Sequence, residues 1–170
     1  MHARLARADD LPKLKETYGR IIERMDEDGM NIWDEFYPCG VFGEDIENSR
    51  LYVTTDDGGN IAAAFALCGE SGGEDGVKWE DANSKAMYIY RLGVSVDFSR
   101  RGLGSAALDE AALLAGEKGA EYLRLLVVDI NLPAINLYLK NGFRQAGGIH
   151  DEKIAEDFVL REYGFEKELF

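Results

Sequence analysis

The sequence is short of the residues that build disulfide frameworks and metal centres. It has two cysteines and two histidines among 170 residues. Cys39 and Cys68 form no C-x-x-C pair, so neither a disulfide scaffold nor a zinc site is indicated. His2 and His150 are too few for a histidine-rich metal site. We therefore expect two reduced, partly buried thiols and no bound metal.

Basic residues are also scarce, with 19 Lys and Arg against 32 Asp and Glu, and the formal net charge is −13. Nucleic acid is therefore excluded as the main partner, because binding phosphates requires a field of positive charge. An anionic membrane surface is disfavoured for the same reason. Any anionic ligand must be held by a local positive site, against the field of the whole chain.

Long apolar segments are missing as well. The longest clean apolar run, residues 61–68, is far shorter than the roughly 20 residues of a membrane-spanning helix. The start of the sequence has no apolar stretch of the kind found in secretory leaders. The expectation is a cytoplasmic protein with no membrane partner.

Apolar residues make up 46% of the chain, enough for a folded core, and the length fits one domain over residues 1–170. Alternating apolar segments interleave with segments of helical period, which predicts a mixed α/β fold. The predicted helices cover residues 11–28, 44–48, 102–118 and 133–141. The predicted strands cover residues 2–6, 51–55, 60–67, 85–96 and 121–128, with a final antiparallel pair at 143–149 and 156–168. Residues 69–84 are predicted to form a long acidic loop, either a lid or a mobile segment.

The most informative segment joins the end of a predicted strand to the start of a helix, where residues 99–105 read S-R-R-G-L-G-S. The first amides of a helix have no intrahelical acceptor, and the helix dipole adds positive charge there. Glycines let a ligand approach the backbone closely, and the two arginines add cations. This combination predicts a phosphate-binding cradle. Its candidate residues are Ser99, Arg100, Arg101, Gly102, Leu103, Gly104 and Ser105.

The residues of this turn alone leave three interpretations open. The first is a surface turn with two solvated arginines. The second is a dinucleotide fingerprint, because residues 102–107 match G-x-G-x-x-A and Asp129 follows near the ribose-binding position. Residues 97–101 separate the strand from the first glycine, and too little chain follows Asp129 for a dinucleotide domain, which disfavours this match. The third is a pyrophosphate site for an acyl-coenzyme A. A Walker A loop is excluded because its motif does not occur.

A second block lies further along the chain, where residues 131–143 fit the pattern N-x-x-A-x-x-L-Y-x-x-x-G-F. Together with the glycine turn, this block resembles the GCN5-related N-acetyltransferase (GNAT) family, whose first block is [QR]-x-x-G-x-[GA]. Ser99 stands where that family usually has Gln or Arg, but both glycines are present. The resemblance extends from Lys85 to Phe143.

The resemblance implies an α/β fold with a central, mostly antiparallel sheet, whose fourth and fifth strands are parallel and splayed apart, and with flanking helices. It implies acetyl-coenzyme A (acetyl-CoA) as the acyl donor. The acceptor would be a primary amine, on a small molecule or a peptide, that attacks the thioester directly in a ternary complex. Association into a homodimer is left open.

The same resemblance assigns roles to individual residues. The main chain of Leu92 and Val94 would align the pantetheine arm, and an N–H near Leu92 would stabilise the oxyanion. Gly93 fits a bulge or a close approach of the chain at this point. Asn131 either binds the cofactor or caps the following helix. Tyr138 would donate a proton or a hydrogen bond to the leaving thiolate, which a phenol with a pKa near ~10 can do.

The acceptor site is less well defined by the sequence. The loop after the first helix contains Trp33, Phe36 and Tyr37 beside carboxylates, a combination that can hold a cationic amine but equally can close the core. Tyr88 and Tyr90 stand where some family members have a Glu or His base, and packing in the sheet also explains them. No general base is therefore named, and a non-catalytic acyl-CoA-binding module stays open beside the enzyme.

Overall fold

The computed structural model describes residues 2–170. Its α-helices are α1 (Leu11–Glu27), α2 (Phe42–Glu47), α3 (Leu103–Glu117) and α4 (Leu132–Lys140). Its β-strands are β1 (Arg4–Leu5), β2 (Leu51–Thr55), β3 (Ile61–Cys68), β4 (Val77–Lys78), β5 (Ala86–Val94), β6 (Tyr122–Val128), β7 (Arg144–Gln145), β8 (Gly147–Gly148), β9 (His150–Ala155) and β10 (Phe158–Glu168). The chain divides into two compact units. The first unit comprises residues 2–67 and 91–110, and the second comprises residues 68–90 and 111–170.

In the first unit, β1 pairs with β2 and β2 pairs with β3, both antiparallel. The hairpin between β2 and β3 turns at Gly59, whose φ of 75° suits glycine. α1 has a proline in its first turn and ends before Gly29, which has a φ of 77°. One face of α1 is buried, as its helical period predicts. The buried residues of this face are Leu14, Tyr18, Ile21 and Met25.

In the second unit, β6 lies between two partner strands. Its residues 122–125 pair in parallel with residues 86–89 of β5, and its whole length pairs antiparallel with β10. β10 also pairs with β7 and β9, and β4 pairs with β8, all antiparallel. Arg124 and Leu125, which point to opposite faces of β6, are both buried, in keeping with its nearly continuous apolar sequence. The predicted fold class, a mixed α/β fold with a mostly antiparallel sheet and a parallel pair, is confirmed.

Two predictions about the chain course are wrong. Residues 69–84 are not one irregular loop, because they contain β4 and place the Trp79 ring 4.9 Å from the Arg124 guanidinium carbon. The predicted strand 143–149 is divided between β7 and β8, and β10 pairs over a longer stretch with β9. β9 is exposed along nearly its whole length, so its sequence has no apolar alternation to indicate a strand.

Within residues 2–170, no helix is long and apolar enough to cross a membrane. Over the same residues, Cys39 and Cys68 form no disulfide. That the whole chain forms one domain stays a prediction.

Candidate functional site

The predicted phosphate cradle lies in the first unit, between the end of β5 and the start of α3. Arg100 and Gly102 have positive φ angles of 61° and 75°, which turn the chain sharply before the helix. The first intrahelical bond runs from the amide of Ala106 to the carbonyl of Gly102, at 3.0 Å. The amides of Leu103 and Gly104 precede this bond and have no acceptor within residues 2–170. Such amides are the donors that an anion requires.

The charges around this turn are positive, although the chain as a whole is acidic. Asp97, the acidic residue before the turn, accepts a hydrogen bond of 2.7 Å from Arg20, which lowers the pKa of its carboxyl group. Its negative charge is therefore balanced by Arg20 of α1, and not by the arginines of the turn. Arg100 and Arg101 are exposed, and the guanidinium of Arg101 lies 5.3 Å from the centre of the Phe98 ring. The turn thus presents two cations to solvent beside the amides of α3.

The main-chain distortion in β5 is at Arg91 and not at Gly93. Arg91 has a φ of 57°, an unusual conformation for a residue with a side chain. Gly93 is nevertheless required by a close approach, because a Cβ atom there would lie 2.7 Å from the Tyr18 ring. The Tyr18 hydroxyl donates to the Arg91 carbonyl at 2.6 Å. Sequence analysis predicted a distortion or a close approach here, and it could not assign each to its residue.

A buried carboxylate holds the Arg91 side chain. Asp45 is fully buried and accepts hydrogen bonds of 2.8 and 2.9 Å from Arg91. It also accepts a hydrogen bond of 2.6 Å from the Nε atom of Arg50. Two guanidinium groups therefore satisfy this carboxylate, and Arg91 is tied to α2 through its side chain and to α1 through its carbonyl. The sequence contains no local signal for this arrangement.

The strand segment predicted to align the pantetheine arm follows this distortion. The parallel ladder between β5 and β6 ends at the pair Ile89 and Leu125, whereas β5 continues to Val94. Leu92 and Val94 are half-buried and lie in this continuation. Their backbone role in cofactor binding stays a prediction.

The second sequence block forms α4 and the residue before it, in the second unit. The Oδ1 atom of Asn131 accepts a hydrogen bond from the amide of Ala134 at 3.3 Å, so its side chain caps α4. Tyr138 is buried, with its ring centre 5.9 Å from that of Phe143 and 6.1 Å from that of Phe165. Burial raises the pKa of the Tyr138 phenol, and its hydroxyl makes no hydrogen bond within residues 2–170. The phenol is therefore protonated at neutral pH and able to donate to a ligand.

The aromatic residues of the predicted acceptor loop lie in the first unit and differ in their surroundings. The Trp33 ring packs 5.6 Å from Tyr18, whereas Phe36 is 74% exposed. The hydroxyl of Tyr37 is 3.4 Å from a guanidinium nitrogen of Arg91. The carboxylate of Asp34 accepts hydrogen bonds from the amides of residues 36 and 37, so it stabilises the turn of this loop. These contacts leave a packing role for Trp33 and an exposed surface at Phe36.

The two strand tyrosines belong to the second unit and bind different partners. The hydroxyl of Tyr88 lies 3.5 Å from a guanidinium nitrogen of Arg124, which is itself buried and paired with Glu166. Tyr90 instead donates a short hydrogen bond to the carboxylate of Glu74. Tyr88 is thus part of a packed polar network, and Tyr90 connects β5 to the acidic segment before β4.

The second unit also contains titratable groups that no local sequence pattern marks. Glu74, His150 and Glu162 are far apart in the sequence, but Glu162 lies directly opposite His150 in the pairing of β10 with β9. Burial raises the pKa of the Glu162 carboxyl group to about 7, and the nearby charges of His150, Glu152 and Glu74 modify it. No sequence signal marked Glu74, because it is one of many carboxylates in an acidic segment. No metal-binding group was found among residues 2–170.

Comparisons with known proteins agree with the two sequence blocks. Residues 14–143 match the family model described as the Acetyltransferase (GNAT) family. A mycothiol acetyltransferase from Clavibacter sepedonicus is 38% identical over 71 residues, which cover 42% of this chain and 23% of that protein. A streptothricin acetyltransferase from Streptomyces lavendulae is 30% identical over a region covering 51% of this chain and 59% of that protein. The chain therefore spans less than two thirds of these relatives.

Solved structures share the fold over almost the whole chain. A GNAT-family acetyltransferase from Listeria monocytogenes superimposes with a TM-score of 0.75 and 23% identity, covering 98% of this chain and 93% of that one. The ribosomal-protein-S18-alanine N-acetyltransferase of Escherichia coli gives a TM-score of 0.69 at 18% identity, covering 98% and 92%. The family match covers well over half of the sequence, and the fold agrees with it. The chain belongs to the GNAT acetyltransferase family.

Proposed function

We propose that the chain is an N-acetyltransferase that moves the acetyl group of acetyl-CoA to a primary amine. Family membership and relatives named as acetyltransferases support this reaction class. The observation that carries the choice of donor is the turn before α3, where two amides without acceptors adjoin Arg100 and Arg101. The pyrophosphate of coenzyme A is the kind of anion that such a turn binds. A dinucleotide oxidoreductase is not supported, because its doubly wound sheet is mostly parallel.

In this proposal, the cradle residues hold the pyrophosphate and the strand residues hold the pantetheine arm. Arg100 and Arg101 contribute charge, and the amides of residues 103–105 contribute donors. The main chain of Leu92 and Val94 aligns the arm, and an N–H near Leu92 polarises the thioester carbonyl. The side chain of Asn131 caps α4, and in this proposal it also contacts the cofactor.

Tyr138 acts as the acid in this proposal. Its phenol is protonated, buried and without a hydrogen-bond partner among the described residues, so a departing thiolate would be a suitable acceptor for its proton. The amine attacks the thioester directly in a ternary complex, and no acyl-enzyme forms. We also propose a cytoplasmic location, one domain for the whole chain, and an acceptor that is a small molecule or a peptide amine.

A thiol-release assay tests the reaction. Acetyl-CoA is supplied with a panel of amines: lysine, putrescine, spermidine, streptothricin and a peptide with N-terminal alanine. We expect thiol release and an acetylated product with at least one amine. Binding of acetyl-CoA without release for any amine would instead indicate the non-catalytic binding module, and absence of binding would refute the proposal.

The role of Tyr138 is tested with Tyr138→Phe, and Tyr163→Phe is the matched control on β10. The phenylalanine keeps the packing but removes the proton, so we expect kcat to fall about 100-fold, within the usual range for a general acid, with little change in acetyl-CoA affinity. An unchanged kcat in Tyr138→Phe would remove this residue from the mechanism.

A further inference from the structure

Arg91 adopts an unfavourable main-chain conformation immediately before the segment that the proposed function assigns to the acyl group. Its φ of 57° lies in the left-handed region, which carries a steric cost for a residue with a Cβ atom. Such a conformation persists only where the surrounding structure enforces it, and it is concentrated at functional sites. The next residue is Leu92, whose N–H is proposed to polarise the thioester carbonyl. The contacts that enforce the conformation of Arg91 therefore bear on the reaction.

A buried carboxylate on α2 holds the side chain of Arg91. Asp45 is fully buried, and its two oxygens accept hydrogen bonds of 2.8 and 2.9 Å from the Nε and Nη2 atoms of Arg91. This two-point contact fixes the orientation of the guanidinium plane as well as its position. Arg50 donates a further hydrogen bond of 2.6 Å to the same carboxylate. The Arg91 side chain is thus anchored to a group that is itself fixed on a second side.

A tyrosine on α1 holds the main chain of Arg91. The Tyr18 hydroxyl donates to the Arg91 carbonyl at 2.6 Å and lies 3.1 Å from the Ala64 carbonyl of β3. One hydroxyl thus joins a carbonyl of β5 to a carbonyl of β3, whereas a regular ladder pairs carbonyls with amides. Local distortions such as β-bulges interrupt the pairing of a strand and redirect the groups beside them. The main chain after Arg91 is therefore redirected by contacts with a side chain of α1.

The ring of the same tyrosine fixes the main chain on the other side of Leu92. A Cβ atom at Gly93 would lie 2.7 Å from the Tyr18 ring, so the ring fills the space that a side chain would take. This ring is itself packed, with its centre 4.8 Å from that of Phe42 and 5.6 Å from that of Trp33. Leu92 therefore lies between two residues whose positions are set by contacts outside β5. Its main chain is preorganised, which is the property that a donor to a developing oxyanion requires.

We propose that Asp45 is a positioning residue for the acetyl group. Through Arg91, it holds the main chain of β5 so that the N–H of Leu92 faces the thioester carbonyl. Tyr18 is a second positioning residue, and it acts on the same segment through the Arg91 carbonyl and Gly93. Neither side chain touches the acyl donor or exchanges a proton. This inference rests on the proposed acetyl transfer and names the residues that set the geometry of its oxyanion site.

The phosphate cradle and these positioning contacts control different kinetic quantities. The cradle, residues 99–105, holds the pyrophosphate equally in the ground state and in the transition state, so it determines the affinity for coenzyme A. The N–H of Leu92 instead acts on the carbonyl oxygen, where negative charge develops only as the amine adds. Loss of the Asp45 contact should therefore lower kcat and leave the affinity for coenzyme A unchanged. A general loss of stability would not separate these two quantities.

The kinetic test compares Asp45→Asn with Val53→Ala, which removes packing at a fully buried position of β2 outside these contacts. Both are assayed at a temperature at which circular dichroism shows them folded, with the amine of the panel that the unaltered protein acetylates fastest. Asp45→Asn should lower kcat at least about tenfold and keep the affinity for coenzyme A, whereas Val53→Ala should change neither. An unchanged kcat in Asp45→Asn, or an equal fall in Val53→Ala, would overturn the proposal.

A double variant tests whether Asp45 acts through Arg91. Arg91→Gly removes the guanidinium, and glycine adopts a φ of 57° without a steric cost. Asp45→Asn should therefore lower kcat in the unaltered background and add no further loss when it is combined with Arg91→Gly. If the two losses multiply instead, Asp45 acts by another route and the proposal is wrong.

Tyr18→Phe decides the question if Asp45→Asn does not fold. This change keeps the ring that packs against Gly93 and removes only the hydroxyl that holds the Arg91 carbonyl. We expect kcat to fall about fivefold with no change in the affinity for coenzyme A. Tyr52→Phe is the control, because Tyr52 is a buried tyrosine of β2 that stacks on Phe65, and it should change neither quantity. The same kcat in both variants would contradict the proposal.

A measurement that needs no turnover keeps the inference separate from the proposed function. Acetyl-CoA labelled with ¹³C at its carbonyl is bound to each protein, and the carbonyl stretch is recorded by isotope-edited infrared spectroscopy. Binding to the unaltered protein should shift the stretch to lower frequency, because the N–H of Leu92 polarises the carbonyl. Asp45→Asn and Tyr18→Phe should lose most of this shift, and Val53→Ala should keep it.

Each outcome of this measurement has a distinct meaning. No shift in the unaltered protein, or an equal shift in Asp45→Asn and Tyr18→Phe, would overturn the inference even if acetyl transfer is demonstrated. The expected shifts without acetyl transfer to any amine would count against the proposed reaction alone. Absence of acetyl-CoA binding to the unaltered protein would refute both the proposed function and this inference.

Discussion

Asp45 in the first unit receives hydrogen bonds from two guanidinium groups, whereas Glu162 in the second unit receives none from the described residues. Asp45 is fully buried between two guanidinium groups, whereas Glu162 is half-buried, lies opposite His150 and is near the carboxylates of Glu152 and Glu74. A paired buried charge organises the structure around it, here the distorted residue Arg91. A carboxylate without donors gives up stability, and it keeps the capacity to bind a cation or a proton. The stability of the fold is thus expected to change in opposite directions when the two groups are neutralised.

The largest effect on folding is expected for Asp45→Asn. This change removes the charge that Arg91 and Arg50 share and leaves buried positive charge, so the free energy of unfolding should fall by about 3 kcal/mol. Urea denaturation of this variant and of Asp57→Asn, an exposed aspartate in the β2–β3 hairpin, measures the difference. Equal stability of the two variants would mean that the pairing of Asp45 with Arg91 and Arg50 does not stabilise the fold.

Glu162→Gln should have the opposite effect on stability, with a defined pH dependence. In the folded protein the pKa of this carboxyl group is about 7, against an ordinary value of 4.5. Between these values the folded state keeps a proton that the unfolded state releases, so stability falls as the pH rises through this window. Glutamine lacks this dependence. The melting temperature of Glu162→Gln relative to the unaltered protein should therefore be higher at pH 8 than at pH 5.

The groups that face Glu162 are His150, Glu152 and Glu74, and each is unchanged in this variant. His150→Gln is the control for the pH dependence, because the titration of His150 can also change the stability near neutral pH. A relative melting temperature of Glu162→Gln that is the same at both pH values would show that Glu162 titrates normally.

A smaller effect is expected at Arg91, where side-chain pairing and backbone strain can be separated. Arg91→Gly and Arg91→Ala both remove the bonds to Asp45, but glycine adopts a φ of 57° without a steric penalty. The glycine variant should be more stable than the alanine variant by about 1 kcal/mol, measured by urea denaturation. If alanine is equally stable, the positive φ is not maintained by the surrounding structure.

The smallest effect concerns the position of Glu74. Tyr90→Phe removes the hydroxyl that donates to this carboxylate, and Tyr88→Phe is the control on the same strand. Loss of this hydrogen bond should lower the free energy of unfolding by about 0.5 kcal/mol relative to Tyr88→Phe, measured by urea denaturation. The two variants would behave alike if Tyr90 only packs in the sheet.

The sequence predicts the elements that have local signals, and it does not predict those that depend on distant partners. The strands β3 and β6 and the helices α1, α3 and α4 follow from apolar periodicity and from glycine or proline at their ends, which are local signals. β9 has no apolar pattern because its side chains are exposed, and residues 69–84 resemble a loop in sequence because β4 has only two residues. Apolar periodicity arises from burial of one face of a strand. It therefore does not indicate a strand that is exposed and held only by backbone hydrogen bonds to its neighbour.

The site residues also divide into those in contiguous motifs and those brought together from distant segments. The glycine turn and the α4 block are contiguous motifs, so their residues were named from the sequence. The bond between Asp45 and Arg91 joins residues 46 positions apart, and Glu74, Tyr90, His150 and Glu162 come from four separate segments. Neither has a spacing that a single sequence can reveal, because the contacts depend on which strands pair.

Acetyl-CoA binding by the turn before α3 is the central claim, and a calorimetric titration tests it most directly. The unaltered protein and Gly104→Leu are titrated with acetyl-CoA, after circular dichroism has shown that both are folded. We predict binding by the unaltered protein and at least about tenfold weaker binding by Gly104→Leu, because a side chain at this position obstructs the approach of a phosphate to the helix amides. Absence of binding to the unaltered protein, or equal affinity of the two proteins, would contradict the account.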